Sequence, residues 1–236
     1  GEDIPPTEMF RMAHEQGKRV HVLHVSSAIE MEFLATAKDV ATVETLPQFL
    51  TFAGPQIYER LHGFAQMNPP IRYAEDLASL WSLGISQGVV DIIATDHAPH
   101  TREEKAQAYP KSPSGMPGVQ TLVPVMLTHV NEGRLSLQRF VDLSSAGPLR
   151  VFGIEGKGRI ALGYDADFTL VDMKARRVIR AEDQATRCGW TPFDGFEAKG
   201  WPLATIIRGQ LVMREGEIVT PHIGEPMRFL ETLPHA

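Results

Sequence analysis

Up to about residue 152, short apolar runs of strand length alternate with stretches of helical rhythm. Residues 8–16, closed by Gly17, read as a helix, 19–25 as a strand, 28–37 as a helix and 40–44 as a second strand. Residues 73–86 carry Leu77, Leu80, Trp81 and Leu83 at helical spacing and lead into a third apolar run, 89–94. Between them, Asn68-Pro69-Pro70 cannot continue a helix. Strands and helices alternating at this spacing predict parallel βα units, hence an α/β fold. Residues 101–118 are polar and rich in Pro, Ser and Gly, a loop long enough to be functional or disordered. Helices over 118–130 and 136–145, and a helical turn over 148–152, complete this part.

From Gly156 the pattern changes. Residues 158–160, 166–172, 177–179 and 205–213 read as short strands punctuated by Gly and Asp. Arg208-Gly209-Gln210 and Glu215-Gly216-Glu217 read as hairpin corners. The boundary therefore falls near Gly156, with parallel strands and helices in 1–155 and a small β-module in 156–236.

Composition narrows the function classes. With 236 residues the chain can bury a sizeable core in one or two domains. The net charge of −6 is mild and spread along the chain, so no nucleic-acid partner is expected. No apolar run is long enough to span a bilayer, and no secretory leader opens the sequence, so no membrane partner is expected either. The single cysteine, Cys188, cannot form an internal disulfide, which fits a cytoplasmic location.

The candidate chemistry sits at strand ends. The run Val89-Val90-Asp91-Ile92-Ile93-Ala94 passes directly into Thr95-Asp96-His97-Ala98-Pro99-His100. A buried strand ending in a carboxylate and imidazoles places polar groups where α/β enzymes build their active sites. The plain alternative is an Asp capping a turn beside two surface histidines. His24 ends the first strand, and the Asn68 region offers a further polar group. His21 lies three residues before His24, so the two point oppositely; His21 reads as a wall residue and His24 as the ligand candidate. A His and an Asp suit zinc, but a catalytic zinc takes three protein ligands.

Four stretches occur together in order: His-Val-Leu-His24-Val-Ser-Ser, Met-Asn68-Pro-Pro-Ile-Arg72, Ala-Thr-Asp96-His-Ala-Pro-His100 and Ser-Pro-Ser114-Gly115-Met-Pro-Gly-Val-Gln-Thr. With them the chain resembles the dihydroorotases, cyclic amidohydrolases of the amidohydrolase superfamily. Gly-Arg-Ile-Ala-Leu-Gly-Tyr-Asp-Ala-Asp167 resembles that superfamily's β-module return, and Arg-Cys188-Gly-Trp190-Thr-Pro-Phe193 resembles bacterial dihydroorotase tails. Hydantoinases and allantoinases share parts of these motifs. The resemblance implies the C-terminal part of a (β/α)8 barrel followed by a small β-sandwich module. It implies His24 and Asp96 as metal ligands, with Asp96 also the proton shuttle, in a site holding two Zn2+ when complete. Asn68 and His100 would bind the ring and carboxylate of the substrate, and backbone groups of Ser114 and Gly115 the pyrimidine edge. Arg72 would either support its loop or touch ligand.

The family's His-x-His pair, strand-end lysine and further histidine have no counterpart in these residues. The expectation is a chain that starts after the fifth barrel strand and needs the N-terminal half of the barrel. At Thr45-Leu46-Pro47-Gln48 the chain departs from many dihydroorotases, which carry histidines after the proline. The implied reaction is hydrolysis of dihydroorotate to carbamoyl-aspartate, the implied partner a small cyclic amide, and the implied assembly a homodimer or tetramer. The rivals are a hydantoinase or allantoinase, and a non-catalytic dihydroorotase-like subunit.

Overall fold

The computed structural model describes residues 6–220 and 223–230. Helix α1 (Pro6–Glu15) leads to strand β1 (Val20–Val22), helix α2 (Ala28–Ala35) and strand β2 (Ala41–Thr45). Helix α3 (Gln56–Leu61), helix α4 (Ala74–Ser79) and strand β3 (Ile92–Ile93) follow, with the short helix α5 (Arg102–Lys105) inside the long polar loop. The three strands form a parallel sheet in the order β1-β2-β3. Helix α2 starts where the sequence places it, because Ser27 and Glu30 form a reciprocal capping box. Asp76 caps twice: one carboxylate oxygen accepts the Ala28 amide at 2.8 Å and the other the Tyr73 amide at 3.3 Å.

Two elements differ from the sequence expectation for local reasons. The first strand stops at Val22 rather than residue 25, since His24 takes φ +39° and leaves extended geometry. The helix over 73–86 widens after Ser79 into a π-turn over Leu80–Ser86. The amides of Val89 and Val90 are taken up by the carbonyls of Leu83 and Gly84, so the apolar run joins the sheet only from Asp91.

The chain forms two compact units. One contains the chain up to Val119 together with Ala185–Pro192; the other contains Gln120–Gln184 and the chain from Phe193 onward. In the second, helices α6 (Leu122–Asn131), α7 (Leu137–Val141) and α8 (Gly147–Phe152) accompany an antiparallel sheet of β4 (Phe168–Val178), β5 (Glu197–Ile207), β6 (Gln210–Arg214) and β7 (Glu217–Ile218). Gly156, where the composition changes, lies inside this unit because α6 is tied to β5. The Lys199 amide donates to Thr128 Oγ1 (2.9 Å) and Asn131 Nδ2 donates to the Lys199 carbonyl (2.8 Å). At Gly200, with φ +103°, a Cβ would stand 2.8 Å from Leu127 Cβ, so only glycine lets strand and helix meet there. Among the described residues the module is thus one sheet with a helix on it.

The sequence reading divides β4 in two; the structure makes one strand whose register shifts between Asp172 and Arg176. Residues 158–160 form no strand, and the half of β5 before residue 205 carries no strand signal in the sequence, since Gly200 and Pro202 interrupt its pattern. Both hairpin corners are present, with paired positive φ at Arg208-Gly209 and Glu215-Gly216.

His129 lies buried on α6, and burial, aided by the Arg134 charge, pushes its imidazole down to about 4. The unfolded chain therefore takes up a proton near pH 6.5 that the folded chain refuses until about pH 4. Stability is lost as pH falls through this window, by about 2 kcal/mol between pH 7 and 5. Urea midpoints at the two pH values should show the loss in the wild type and a much smaller one in His129→Leu. An equal loss in both would assign the acid sensitivity elsewhere.

Candidate active site

At the polar end of the parallel sheet, β2 organises its two neighbours. Glu44, Thr45 and Gln48 are all buried there, and each sends its side chain to an adjacent strand end. Glu44 Oε1 accepts the His24 amide at 3.4 Å, while its other oxygen lies 3.7 Å from His21 Nε2. Thr45 Oγ1 donates to the Val25 carbonyl (2.9 Å), and Gln48 Nε2 donates to the Thr95 carbonyl (3.2 Å). The residues beside His24 and Asp96 are thereby pinned from one strand. His21, as expected of a wall residue, is half-buried with Nδ1 2.8 Å from Thr42 Oγ1.

His24 and Asp96 share an unusual backbone. Among the described residues five non-glycines have positive φ, and two of them only make hairpin corners. His24 (φ +39°) and Asp96 (φ +46°) sit just past the C-terminal ends of β1 and β3, on either side of β2. Left-handed geometry outside glycine is uncommon and concentrates at functional sites. Strands two apart in a sheet lie about 10 Å from each other, within joint reach of a ligand and its ion. Asp96 is exposed and His24 half-buried, so both can meet a solute.

An imidazole and a carboxylate are suitable ligands for a divalent metal. Among the described residues, however, no group of three or more His, Cys, Asp or Glu converges to hold one. The chain's own residues fit a share of a metal site.

The remaining predicted residues cluster around two loops. Asn68 and Ser114, both exposed, line one cavity of about 780 Å³, together with His62, Gln66 and Tyr109. His24, Asp96, His100 and Gly115 do not line that cavity. Gly115 instead backs onto the His100 loop: at φ +125°, a Cβ there would stand 2.4 Å from Ala98 Cβ and 3.6 Å from His100 Cδ2. The Gly115 amide already donates to the Gln66 carbonyl (3.0 Å), so its N–H is taken up within the fold. His100 has its Nδ1 3.5 Å from Glu104 and its carbonyl bonded to the Trp190 indole at 2.8 Å. His97 turns away from a ligand role: its Nδ1 accepts the amides of Gly118 (3.1 Å) and Val119 (3.4 Å), which puts its ring proton on Nε2. Arg72 Nε donates to Ser26 Oγ at 3.4 Å, so the guanidinium supports the His24 loop.

Gln48, Lys105 and Trp190 matter to this geometry; the sequence marks Gln48 only as a departure from the dihydroorotase pattern and gives no signal for Lys105. The spacing of residues does not tell whether water reaches a glutamine or a lysine.

Parallel strands with polar groups and left-handed backbone at their C-terminal ends mark a candidate site of the α/β type. The chain belongs to the amidohydrolase family, which it matches over residues 7–212. It is 39% identical over 209 residues to the dihydroorotase of Pyrococcus furiosus, covering 88% of this chain and 48% of that protein. To the dihydroorotase of Halobacterium salinarum it is 39% identical over 214 residues, covering 91% and 49%. Its structure superposes on the L-hydantoinase (dihydropyrimidinase) of Arthrobacter aurescens with a TM-score of 0.85 at 31% identity, over 91% of this chain and 49% of that one. The dihydropyrimidinase of Brevibacillus agri gives 0.83 at 27% identity, over 89% and 48%. The chain spans about half the length of the curated relatives it matches.

Gly115→Ala should strain both loops, because the new Cβ meets Ala98 Cβ on a backbone that disfavours side chains. The expected cost is about 1–3 kcal/mol of stability, read from denaturant midpoints. Adding Ala98→Gly removes the colliding methyl and should recover part of the loss. A single variant as stable as wild type would mean the loops do not meet as described.

Proposed function

We propose that the chain is the C-terminal portion of a metal-dependent cyclic amidase, and that its reaction is hydrolysis of dihydroorotate to N-carbamoyl-aspartate. Residues 1–155 would contribute three strands to an eight-stranded barrel, and 156–236 would form a β-module. The observation that carries this reading is the pair His24 and Asp96, held in left-handed geometry past the ends of β1 and β3. The likeness to dihydroorotases at 39% identity supplies the substrate.

Each residue has a part in that chemistry. His24 and Asp96 would ligate divalent metal, zinc being the expected ion, with further ligands from the rest of the barrel. Such an ion supplies Lewis acidity to the amide carbonyl and to water. Asp96 takes the proton of the attacking water and returns it to the ring nitrogen as the C–N bond breaks. Asn68 and the Ser114-Gly115 turn would hold the ring, and His100 the carboxylate. Cyclic ureides of the hydantoin type form the second reading, with which the structural match to hydantoinase is compatible.

In the full-length, metal-replete enzyme, Asp96→Asn should lower kcat by about 10²–10⁴, because an amide cannot carry the proton. Melting temperature should change little, since the Asp96 side chain is exposed. Near-normal turnover by this variant would remove Asp96 from the mechanism. Assaying dihydroorotate beside hydantoin and dihydrouracil separates the two substrate readings, and turnover of none of them by wild type would leave a non-catalytic subunit.

A further inference from the structure

The long polar loop contains a lysine that solvent does not reach. Lys105, at the end of α5, is 0% exposed and makes no ion pair among the described residues. Burying an ammonium without a carboxylate is costly, and cores generally do better with an apolar residue of that length. What Lys105 does with its position is specific. Its Nζ donates to the Gln66 carbonyl and to the Pro113 carbonyl, both at 2.7 Å. Gln66 stands two residues before Asn68, and Pro113 one residue before Ser114. The Gln66 carbonyl also receives the Gly115 amide at 3.0 Å, so one oxygen joins both loops twice.

The surroundings tighten the same junction. Ser112 Oγ reaches the carbonyls of Gly63 (3.1 Å) and Lys105 (3.2 Å), and no side chain at Gly63 separates these backbones. The amine lies 5.8 Å from the centre of the Trp190 ring, a partial compensation for its charge. Trp190 in turn holds the carbonyl of His100 through its indole N–H at 2.8 Å. Burial lowers the amine to about 8, which leaves it protonated at neutral pH.

We infer that Lys105 is a positioning residue: its buried amine clamps the Asn68 loop to the Ser114-Gly115 loop and, through Trp190, sets both against His100. It touches no ligand itself. This rests on the substrate roles proposed above for Asn68, Ser114, Gly115 and His100, while the clamp itself is a property of the fold.

The test uses Lys105→Met in the full-length, metal-replete enzyme, with two readouts. Methionine keeps the length and removes the donors. Amide hydrogen exchange should speed up by about tenfold or more in both residues 62–68 and 112–118, since the shared junction is lost. KM for the cyclic amide should rise about tenfold, with kcat changed less than threefold and melting temperature by only a few degrees. Lys105→Gln, a shorter neutral arm that keeps N–H donors, should recover part of the KM; it is read by the same criteria if the methionine variant does not fold. Unchanged exchange in the two loops overturns the clamp, whatever the activity. Faster exchange with unchanged KM also overturns it, as that is a stabilising residue without a positioning role. A wild type that hydrolyses no cyclic amide defeats the functional reading instead, and the clamp is then decided by exchange alone.

Discussion

The polar end of the parallel sheet depends on the obligation of buried polar groups to find partners. β2 has a neighbour on each side, and its terminal Glu44, Thr45 and the following Gln48 lie out of reach of water. A buried carboxylate, hydroxyl or amide left without a hydrogen bond costs of order 1–3 kcal/mol or more. These side chains meet the requirement by bonding the backbone next to His24 and Asp96. The candidate ligands owe their place to that constraint more than to any contact of their own. It also explains how two uncommon left-handed residues persist in exposed or half-exposed chain. Each is over-determined by neighbours that cannot move without breaking a buried bond.

A second hub governs the loops around Asn68 and Ser114. One carbonyl, Gln66, accepts from both Lys105 and Gly115, and one amine, Lys105, donates to both loops. Hydrogen bonds to a charged donor are worth more than neutral ones, and low dielectric strengthens them further. The long segment after Asp96 is thus ordered by few but strong anchors. Its helix α5 is capped by Thr101 with Glu104 and delivers Lys105 into the interior.

The second unit follows different rules. Its sheet is antiparallel and joined by tight corners, and α6 approaches β5 closely enough for side chains of the helix to bond strand backbone. Asp167 there accepts Lys157 and the amide of Arg208, joining the start of β4 to the β5–β6 corner. No group of three or more metal-ligating residues occurs in this unit or in the other, among the described residues.

The sequence by itself determined the alternation of strands and helices, the change of character at Gly156, both hairpin corners and the strand-end place of His24 and Asp96. Those features are local: they follow from periodicity, turn chemistry and the abrupt passage from apolar run to polar residues. The motifs also carried the family, over nearly the whole chain. Only the tertiary structure decided which groups act together. It showed His97 turned onto Gly118, the Gly115 amide consumed by Gln66, and Asn68 and Ser114 sharing a cavity that His100 does not line. It also showed that Gln48 and Lys105 are buried anchors. The reason is physical. A polar residue's role depends on whether water can reach it and on which chain lies across from it, and neither is encoded in the spacing of residues along one strand.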